Sequence, residues 1–255
     1  MTTNFGNLVE QWLQPDWSVP GVQAYVSTRA GGFSQPPYDG FNTADHVGDD
    51  AQAVQRNRER VKNHFHWRSQ PQWMQQVHGI NVVEAGSGGA SRQADAIVSH
   101  FPGVVCALHT ADCLPVFFAH HSGSVVALAH AGWRGLAAGV VEASLHKMGV
   151  PANEVRVWLG PAIGPSAFEV GEDVRSAFMA QHPQTQRCFV PSLNDRWLCD
   201  LYSIARLRLG GLGVTQITGG EHCTYSDPRF YSYRRQAVTG RMLSLIWIDP
   251  PHCNP

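Results

Sequence analysis

Cys113 and His130 are the residues whose types and spacing most directly suggest chemistry, because thiols and imidazoles bind metal ions and activate nucleophiles. Each borders one of two apolar runs, at 114–119 and 125–129, that are typical of neighbouring β-strands joined by a polar turn. A turn centred at 121–122 places Cys113 directly opposite His130. Directly opposed residues of an antiparallel pair have Cβ atoms about 4.5–5.5 Å apart. We therefore predict that this thiol and this imidazole lie within reach of each other or of a shared metal ion.

A cysteine and a histidine this close admit three interpretations. The first is a buried cysteine beside a hydrogen-bonded histidine, with a purely structural role. The second is a thiolate nucleophile activated by an imidazole, as in cysteine hydrolases. The third is a metal site, which needs a further ligand, since a catalytic zinc ion has three protein ligands and one open position. The candidates for that ligand are His78, which precedes Gly79 in an expected turn, and His109, His120 and His121, which are nearer in sequence.

Short strands and helices must position these residues. Strands are expected at 104–108, 114–119, 125–129, 155–159, 214–218 and 243–248, and helices at 49–65, 136–148, 173–180 and 202–209. Their irregular alternation favours an α+β fold, a layered α/β sandwich with mixed β-sheets flanked by helices, over a doubly wound nucleotide-binding fold. Without repeats or linkers, residues 1–255 are expected to form a single domain. The glycine-rich segment 86–89 lacks the rest of a nucleotide-binding motif and is expected to be a turn.

The composition excludes several classes of protein. Of the 255 residues 43% are hydrophobic and 15% are charged, which suits a well-packed globular core. The formal net charge of -1, without a basic run, argues against nucleic acids and anionic membranes as partners. The apolar runs are far shorter than the roughly 20 residues of a membrane span. The first residues lack the pattern of a secretory signal and the six cysteines form no C-x-x-C pair, so we expect reduced thiols and a cytoplasmic protein.

Eight short blocks of sequence run in order through nearly the whole chain. They are TRAGG at 28–32, HVGDD at 46–50, QVHG at 76–79, TADCLPV at 110–116, HAGWRGL at 130–136, GPAIGP at 160–165, FYSYRR at 230–235 and TGR at 239–241. Together these blocks closely resemble the signature blocks of the YfiH/laccase-domain family. The resemblance implies a single-domain α/β sandwich related to the catalytic domain of a deamidating bacterial toxin. It also implies a metal ion held by two histidines and one cysteine, which by motif are His78, Cys113 and His130.

The activities described for members of this family differ in chemistry. They include purine nucleoside phosphorylase, adenosine deaminase and methylthioadenosine phosphorylase activities, polyphenol oxidation, and hydrolysis that edits peptidoglycan precursors. The resemblance implies first a metal-dependent purine nucleoside phosphorylase, with adenosine, inosine, guanosine or methylthioadenosine and phosphate as small-molecule substrates, and with adenosine deamination in addition. A copper-dependent polyphenol oxidase is one alternative. A cysteine- or zinc-dependent hydrolase of cell-wall peptide precursors is the other.

The ligand set ranks the metals and the reactions. Two histidines and one cysteine with an open position suit zinc, which lowers the pKa of bound water toward about 7. The same set also suits copper, but a multicopper oxidase needs further paired His-x-His ligands, and the chain offers only His64 and His66 in that spacing. The H-x-E and P-C-x-x-C signature of zinc nucleobase deaminases is absent, so deamination would need a differently built site. We therefore expect zinc first and copper second.

Charged residues inside the matching blocks are the candidates for substrate binding and acid–base chemistry. Arg134 follows a glycine turn where a helix is expected to begin, which suits phosphate binding, with a structural cap or salt bridge as the alternative. Asp112 is expected to orient a ligand imidazole or to act as a base, unless its carboxylate is merely solvated. The predicted catalytic residues are thus Cys113, His130 and Asp112, and the predicted substrate-binding residues are Arg29, Arg134 and Arg241.

Overall fold

A computed structural model describes residues 8–86 and 92–250 of the chain. Within these ranges the α-helices are α1 Ala51–His64, α2 Trp133–Ala138, α3 Val140–Met148, α4 Glu172–Gln181 and α5 Leu201–Gly211. The strands are β1 Val22–Val26, β2 Met74–Gln75, β3 Val82–Glu84, β4 Arg92–Gln93, β5 Ala96–Ser99, β6 Cys106–Thr110, β7 Leu114–His120, β8 Val126–Ala131, β9 Val155–Leu159, β10 Glu169–Val170, β11 Phe189–Pro191, β12 Trp197–Cys199, β13 Gln216–Gly219 and β14 Met242–Ile248.

Two sheets pack face to face at the centre of the fold. One is a mixed six-stranded sheet in the order β13-β9-β7-β8-β5-β3, and the other is an antiparallel three-stranded sheet in the order β1-β14-β6. Alternate residues of facing strands, such as Phe117 and Leu128 from the first sheet and Leu108 and Ile246 from the second, form one apolar core between them.

Helices cover both outer faces of this pair of sheets. The remaining face of the six-stranded sheet buries Val116 and Ala129 against the apolar sides of α2, α3 and α5. The outer face of the three-stranded sheet buries Leu245 against Val61 of α1. Helix α1 begins at the cap residue Asp50, whose side chain accepts a hydrogen bond from the backbone N–H of Ala53. The α+β sandwich with mixed sheets and flanking helices that the sequence predicts is therefore confirmed.

The β7–β8 hairpin has a different register from the one the sequence predicts. A hydrogen bond from the backbone N–H of His120 to the carbonyl oxygen of Val125 closes a loop of four residues, 121–124, instead of two. Pro115 rather than Cys113 lies opposite His130. The loop is longer because the chain turns at Gly123. Glycine adopts the φ of 75° at this position readily, whereas other residues adopt it only with strain. The prediction that Cys113 lies directly opposite His130 is therefore wrong. Since side chains alternate with a period of two, a shift of two residues still leaves Cys113 and His130 on one face.

The helix predicted at 136–148 is two helices. Helix α2 begins at Trp133, so that Arg134 lies inside it, and Gly139 with a φ of 114° separates it from α3. The other predicted strands and helices are present with ends shifted by a few residues. No described helix has the length and hydropathy that a membrane crossing requires. Most of the turn expected at 86–89, and most of the segment searched for a secretory signal, lie outside the described residues.

Candidate metal and substrate site

Three side chains with metal-binding atoms meet at one end of the hairpin. His78 lies in the loop between β2 and β3, Cys113 directly precedes β7, and His130 is near the end of β8. Their ligand atoms all lie within 4.8 Å of one another, and the distance from Cys113 Sγ to His78 Nε2 is 3.8 Å. The structure therefore brings together His78, Cys113 and His130, whereas His120 and His121 lie at the opposite end of β7.

A buried carboxylate orients His130. Asp95 Oδ1 lies 2.8 Å from His130 Nδ1, and both residues are almost fully buried. Because Nδ1 is engaged in this way, Nε2 is the ring nitrogen that remains for a ligand bond. A carboxylate behind a histidine ligand is the arrangement that fixes the tautomer and the ring position in protein metal sites.

The same carboxylate also holds the loop of His78. Asp95 accepts hydrogen bonds from the backbone N–H groups of Val77, His78 and Gly79 at 3.1, 2.9 and 2.6 Å. Burial alone would raise the pKa of Asp95, but the hydrogen bonds from His130 and from the loop lower it below its ordinary value. One ionised aspartate thus places two of the three candidate ligands.

Sequence reasoning missed Asp95. The local signal is a single acidic residue directly before an apolar segment, which the structure shows to be the buried strand β5. A buried carboxylate requires partners, so its position alone hinted at a structural or site role. Its partners lie in two other parts of the chain, and only the fold identifies them.

Two glycines allow the ligand loops to pack together. A Cβ atom at Gly132 would lie 2.8 Å from His78 Cδ2 and 3.0 Å from Cys113 Sγ. A Cβ atom at Gly135 would lie 2.8 Å from the carbonyl oxygen of Gly79. Since real Cβ atoms do not approach so closely, any larger residue at Gly132 displaces the ligands themselves.

Cys113 and His130 stabilise each other's charged forms. Burial disfavours the charged form of each side chain. The charge of His130 and the hydrogen bonds from His130 and His78 nevertheless lower the pKa of the Cys113 thiol to about 6. Burial likewise opposes protonation of His130, but Cys113 and the hydrogen bond to Asp95 raise its pKa to about 9. In the metal-free chain the pair is therefore a thiolate beside an imidazolium at neutral pH.

The three donors fit a tetrahedral metal ion. Typical zinc–sulfur and zinc–nitrogen bonds put such donor atoms roughly 3.5 Å apart, close to the distance between Cys113 and His78. The donor set is one thiolate and two imidazoles, and His78 is exposed, which leaves one side of the cluster open. This is the ligand count of a catalytic site with a position for water or substrate, and it fits zinc as well as copper.

The cluster lies in a cavity of about 420 Å³. This volume is within the range of about 300–1,000 Å³ that is common for small-molecule sites. Besides the cluster, the cavity is lined by His46, Gln76, His109, Thr110, Ala111, Asp112, Ile163, Phe168, Tyr233, Arg234 and Arg241.

Two arginines make the cavity wall cationic. Arg241 is half-buried and donates to the carbonyl oxygens of Thr239 and Gly240 at 2.8 and 3.0 Å, and burial lowers the pKa of its guanidinium. Arg234 is exposed and donates to the carbonyl oxygen of Glu169. Neither arginine takes part in any ion pair among the described residues. Two unpaired guanidinium groups in one cavity suit an anionic substrate group.

The contacts of the Asp112 carboxylate are with a hydroxyl and a backbone N–H group rather than with a ligand imidazole. This carboxylate accepts from the Thr224 hydroxyl at 2.6 Å and from the backbone N–H of Arg234 at 2.7 Å. The carboxylate that lies behind His130 is that of Asp95. Asp112 instead ties the segment that carries Arg234 to the cavity wall.

The other two predicted substrate-binding arginines are not among the residues that line the cavity. Arg29 pairs with Asp39 at 2.9 Å. Arg134 is exposed, with its guanidinium 4.3 Å from the ring centre of Trp133. Of the three, only Arg241 lies at the candidate site.

His109, one of the sequence candidates for the third ligand, is not part of the cluster and instead forms a neutral part of the cavity wall. Its backbone N–H and carbonyl are both bound by the side-chain amide of Gln76, at 2.9 and 2.8 Å. Its ring stacks on Trp73 with centres 4.9 Å apart, and its Nε2 lies 2.9 Å from the Thr43 hydroxyl. Burial holds the pKa of His109 well below its usual value, so the ring is uncharged at neutral pH.

Comparisons with known proteins agree with this architecture. Residues 23–249 match the family model described as "Multi-copper polyphenol oxidoreductase laccase". A protein of Pseudomonas aeruginosa named purine nucleoside phosphorylase is 55% identical over 93% of this chain and 98% of its own length. The Escherichia coli protein named purine nucleoside phosphorylase YfiH is 49% identical over 94% of this chain and 98% of its own length.

Solved structures share the fold over nearly the whole chain. A Neisseria meningitidis protein superposes with a TM-score of 0.90 at 43% identity, covering 94% of this chain and all (100%) of its own. YlmD from Geobacillus stearothermophilus superposes with a TM-score of 0.88 at 30% identity, covering 96% of this chain and 99% of its own.

Proposed function

This chain belongs to the laccase-domain family that includes YfiH, and from that membership we propose that it is a metal-dependent purine nucleoside phosphorylase. The observation that carries the proposal is the guanidinium of Arg241, which has no ion-pair partner among the described residues and lies in the same cavity as the cluster of His78, Cys113 and His130. Relatives that carry this name span nearly the whole chain. The substrates are a purine nucleoside and inorganic phosphate.

The reaction requires cationic groups that bind phosphate and a neutral surface that binds the base, both in one cavity. A phosphate oxygen bonds to C1′ of the ribose while the bond from C1′ to the purine nitrogen breaks, and the base leaves with that electron pair and takes up a proton. The attacking phosphate is anionic, so Arg241 and Arg234 hold it against the wall and reduce its charge repulsion. His109 and Phe168 give the remaining wall a neutral surface that accepts the flat base.

The Cys-His cluster, formed by His78, Cys113 and His130, assists the departure of the purine base. Cys113, His78 and His130 would hold a zinc ion, which would supply Lewis-acid stabilisation for the negative charge that develops on the departing base. The chain's own contribution is to keep these donors converged, through the contacts of Asp95 with His130 and with the loop of His78. Asp112 positions the segment that carries Arg234.

The test is base release from inosine and adenosine with and without phosphate, on protein whose metal content is measured. We expect release that depends on phosphate and forms ribose 1-phosphate. Equal release without phosphate would indicate hydrolysis and contradict the proposal. Ammonia released from adenosine in the same samples measures the deamination that we propose as a side activity, and guanosine and methylthioadenosine define the range of bases.

A copper-dependent oxidation of phenols is the second candidate, favoured by the description of the matched family. A multicopper oxidase needs several copper sites close enough to pass electrons to oxygen. Among the described residues, only two groups of three or more potential ligands occur, and they lie at opposite ends of β7. Oxygen consumption after copper loading, with a phenol as electron donor, tests this candidate.

The reaction is proposed to take place in a reducing compartment such as the cytoplasm. The five cysteines within the described residues are all free thiols, and Cys113 must remain reduced to bind a metal ion.

A further inference from the structure

A second group of metal-binding side chains lies at the other end of β7, far from the candidate active site. It consists of His120, His121 and Glu154, whose ligand atoms lie within 4.8 Å of one another. His120 lies seven positions along the extended chain from Cys113, a distance of roughly 23 Å at about 3.3 Å per residue. This group is independent of the proposed function, and nothing in the proposed reaction uses it.

The three side chains converge on one oxygen atom. Glu154 Oε2 lies 2.9 Å from His120 Nε2 and 3.9 Å from His121 Nε2. On its other side, His120 Nδ1 accepts from the backbone N–H of Ser122 at 3.4 Å and lies 2.7 Å from the Ser122 hydroxyl. Because Nδ1 acts as an acceptor, the ring proton is on Nε2 and points at Glu154. A metal ion bound between these two side chains would replace that proton.

The backbone already holds these residues together. His120 pairs with Val155 in the β7–β9 ladder, and the backbone N–H of His121 donates to the carbonyl oxygen of Glu154 at 2.9 Å. Glu154 ends a short 3-10 helix that leads into β9. Little ordering of the main chain is therefore needed to bring two imidazoles and a carboxylate onto one ion.

We propose that His120, His121 and Glu154 form a second cation site, which binds a divalent first-row transition ion of the zinc class. Two imidazoles and one carboxylate form a common ligand set for zinc, with water in the fourth position. The side chain of His120 is only 12% exposed, whereas those of His121 and Glu154 are 53% and 42% exposed. The buried histidine anchors the ion, and the two exposed ligands leave room for water.

The ion at this site links the β7–β8 loop to the start of β9. It bridges residues that the chain separates by more than thirty positions, as the separation of 34 between His120 and Glu154 shows. An ion that binds the folded chain and not the unfolded one raises the melting temperature. The site therefore stabilises the sheet at the end opposite the cavity.

The experiment is calorimetric titration of Zn²⁺ into metal-free Cys113→Ser protein, in which the Cys-His cluster is impaired. We expect one equivalent to bind and to raise the melting temperature. His121→Ala and Glu154→Gln in this background weaken zinc binding by at least about tenfold. His146→Ala, which changes an exposed histidine outside the group, leaves the binding unchanged.

The unmodified protein gives a second readout that does not depend on the Cys113 variant. We expect it to bind two equivalents of zinc, and Glu154→Gln to bind one. With Co²⁺ the two sites differ, because only a thiolate ligand produces a sulfur-to-metal charge-transfer band, which Glu154→Gln retains. A single equivalent that binds to the unmodified protein but not to Cys113→Ser, or zinc binding that Glu154→Gln and His121→Ala leave unaltered, would overturn the proposal.

Discussion

Asp95 and His130 lie 2.8 Å apart, carboxylate oxygen to ring Nδ1, and both side chains are almost fully buried. Because the same carboxylate binds three successive backbone N–H groups around His78, it joins two candidate ligands that are 52 positions apart in the sequence. The geometry of the cluster therefore depends on a residue that is not itself a ligand.

Replacing Asp95 with asparagine should weaken zinc binding. Asp95→Asn keeps the shape but loses the charge that holds the His130 ring and the loop of His78, and the loss of such a partner lowers metal affinity by about 10–100-fold. Competition with a chromogenic chelator measures the change. Asp16→Asn, at an exposed aspartate, is the matched control and should bind zinc like the unmodified protein. Equal affinity in both variants would contradict the role given to Asp95.

A methyl group at Gly132 should remove the metal. Gly132→Ala places a Cβ within 2.8 Å of His78 and 3.0 Å of Cys113, so the ligands must separate. Gly210→Ala is the control, since a Cβ there meets no atom within 4 Å. We expect zinc content to fall in the first variant only, as measured by mass spectrometry of metals. The melting temperature of Gly210→Ala should stay the same or rise slightly, because alanine favours the helix by up to about 1 kcal/mol.

Cys113 in metal-free protein should react with iodoacetamide at low pH. Its pKa is lowered to about 6, below the ordinary value of 9.0, so the alkylation rate should rise through pH 6 and level off above it. His130→Gln removes the main favourable interaction and should move this midpoint upward. Cys223 also has a lowered pKa, so Cys223→Ser protein is the appropriate background.

The same reaction distinguishes a ligand from a nucleophile. If Cys113 is a zinc ligand, one equivalent of zinc should block its alkylation. Metal-free protein that releases purine base at the full rate would instead make Cys113 the nucleophile, as in the hydrolase alternative.

Arg241 should contribute to phosphate binding and Arg134 should not. Arg241→Gln removes a cavity guanidinium that pairs with no carboxylate within residues 8–86 and 92–250. Loss of one charged hydrogen bond to phosphate lowers the apparent affinity by about tenfold or more. We expect the KM for phosphate to rise by that factor while the zinc content stays constant. Arg134→Gln, at an arginine outside the cavity lining, is the matched control. An equal rise in both variants would place the phosphate elsewhere.

Asp112 should affect substrate binding without affecting the metal. Asp112→Asn tolerates the φ of 86° at this position, because asparagine adopts this conformation readily. It weakens the contacts to Thr224 and to the backbone of Arg234. We therefore expect a higher KM with normal zinc affinity, which is the opposite of Asp95→Asn. Loss of zinc in Asp112→Asn would show that the two aspartates act on the same group.

Local sequence patterns determined most of the elements and two members of the cluster. Short apolar runs located β7, β8 and β9, and helical periodicity located α1. The proximity of Cys113 and His130 was predicted despite a wrong register, because a shift by two residues preserves the face of a strand. His78 followed from its motif, since spacing along the chain did not distinguish it from other histidines.

The tertiary structure decided what distant residues do to one another. Asp95 stands behind His130, Asp112 holds the segment of Arg234, and Arg241 faces the cavity while Arg29 pairs with Asp39. These contacts join segments far apart in sequence, so no local periodicity encodes them. Propensity and alternation report on neighbours along one element, whereas the partners of a buried charge are set by how the sheets pack.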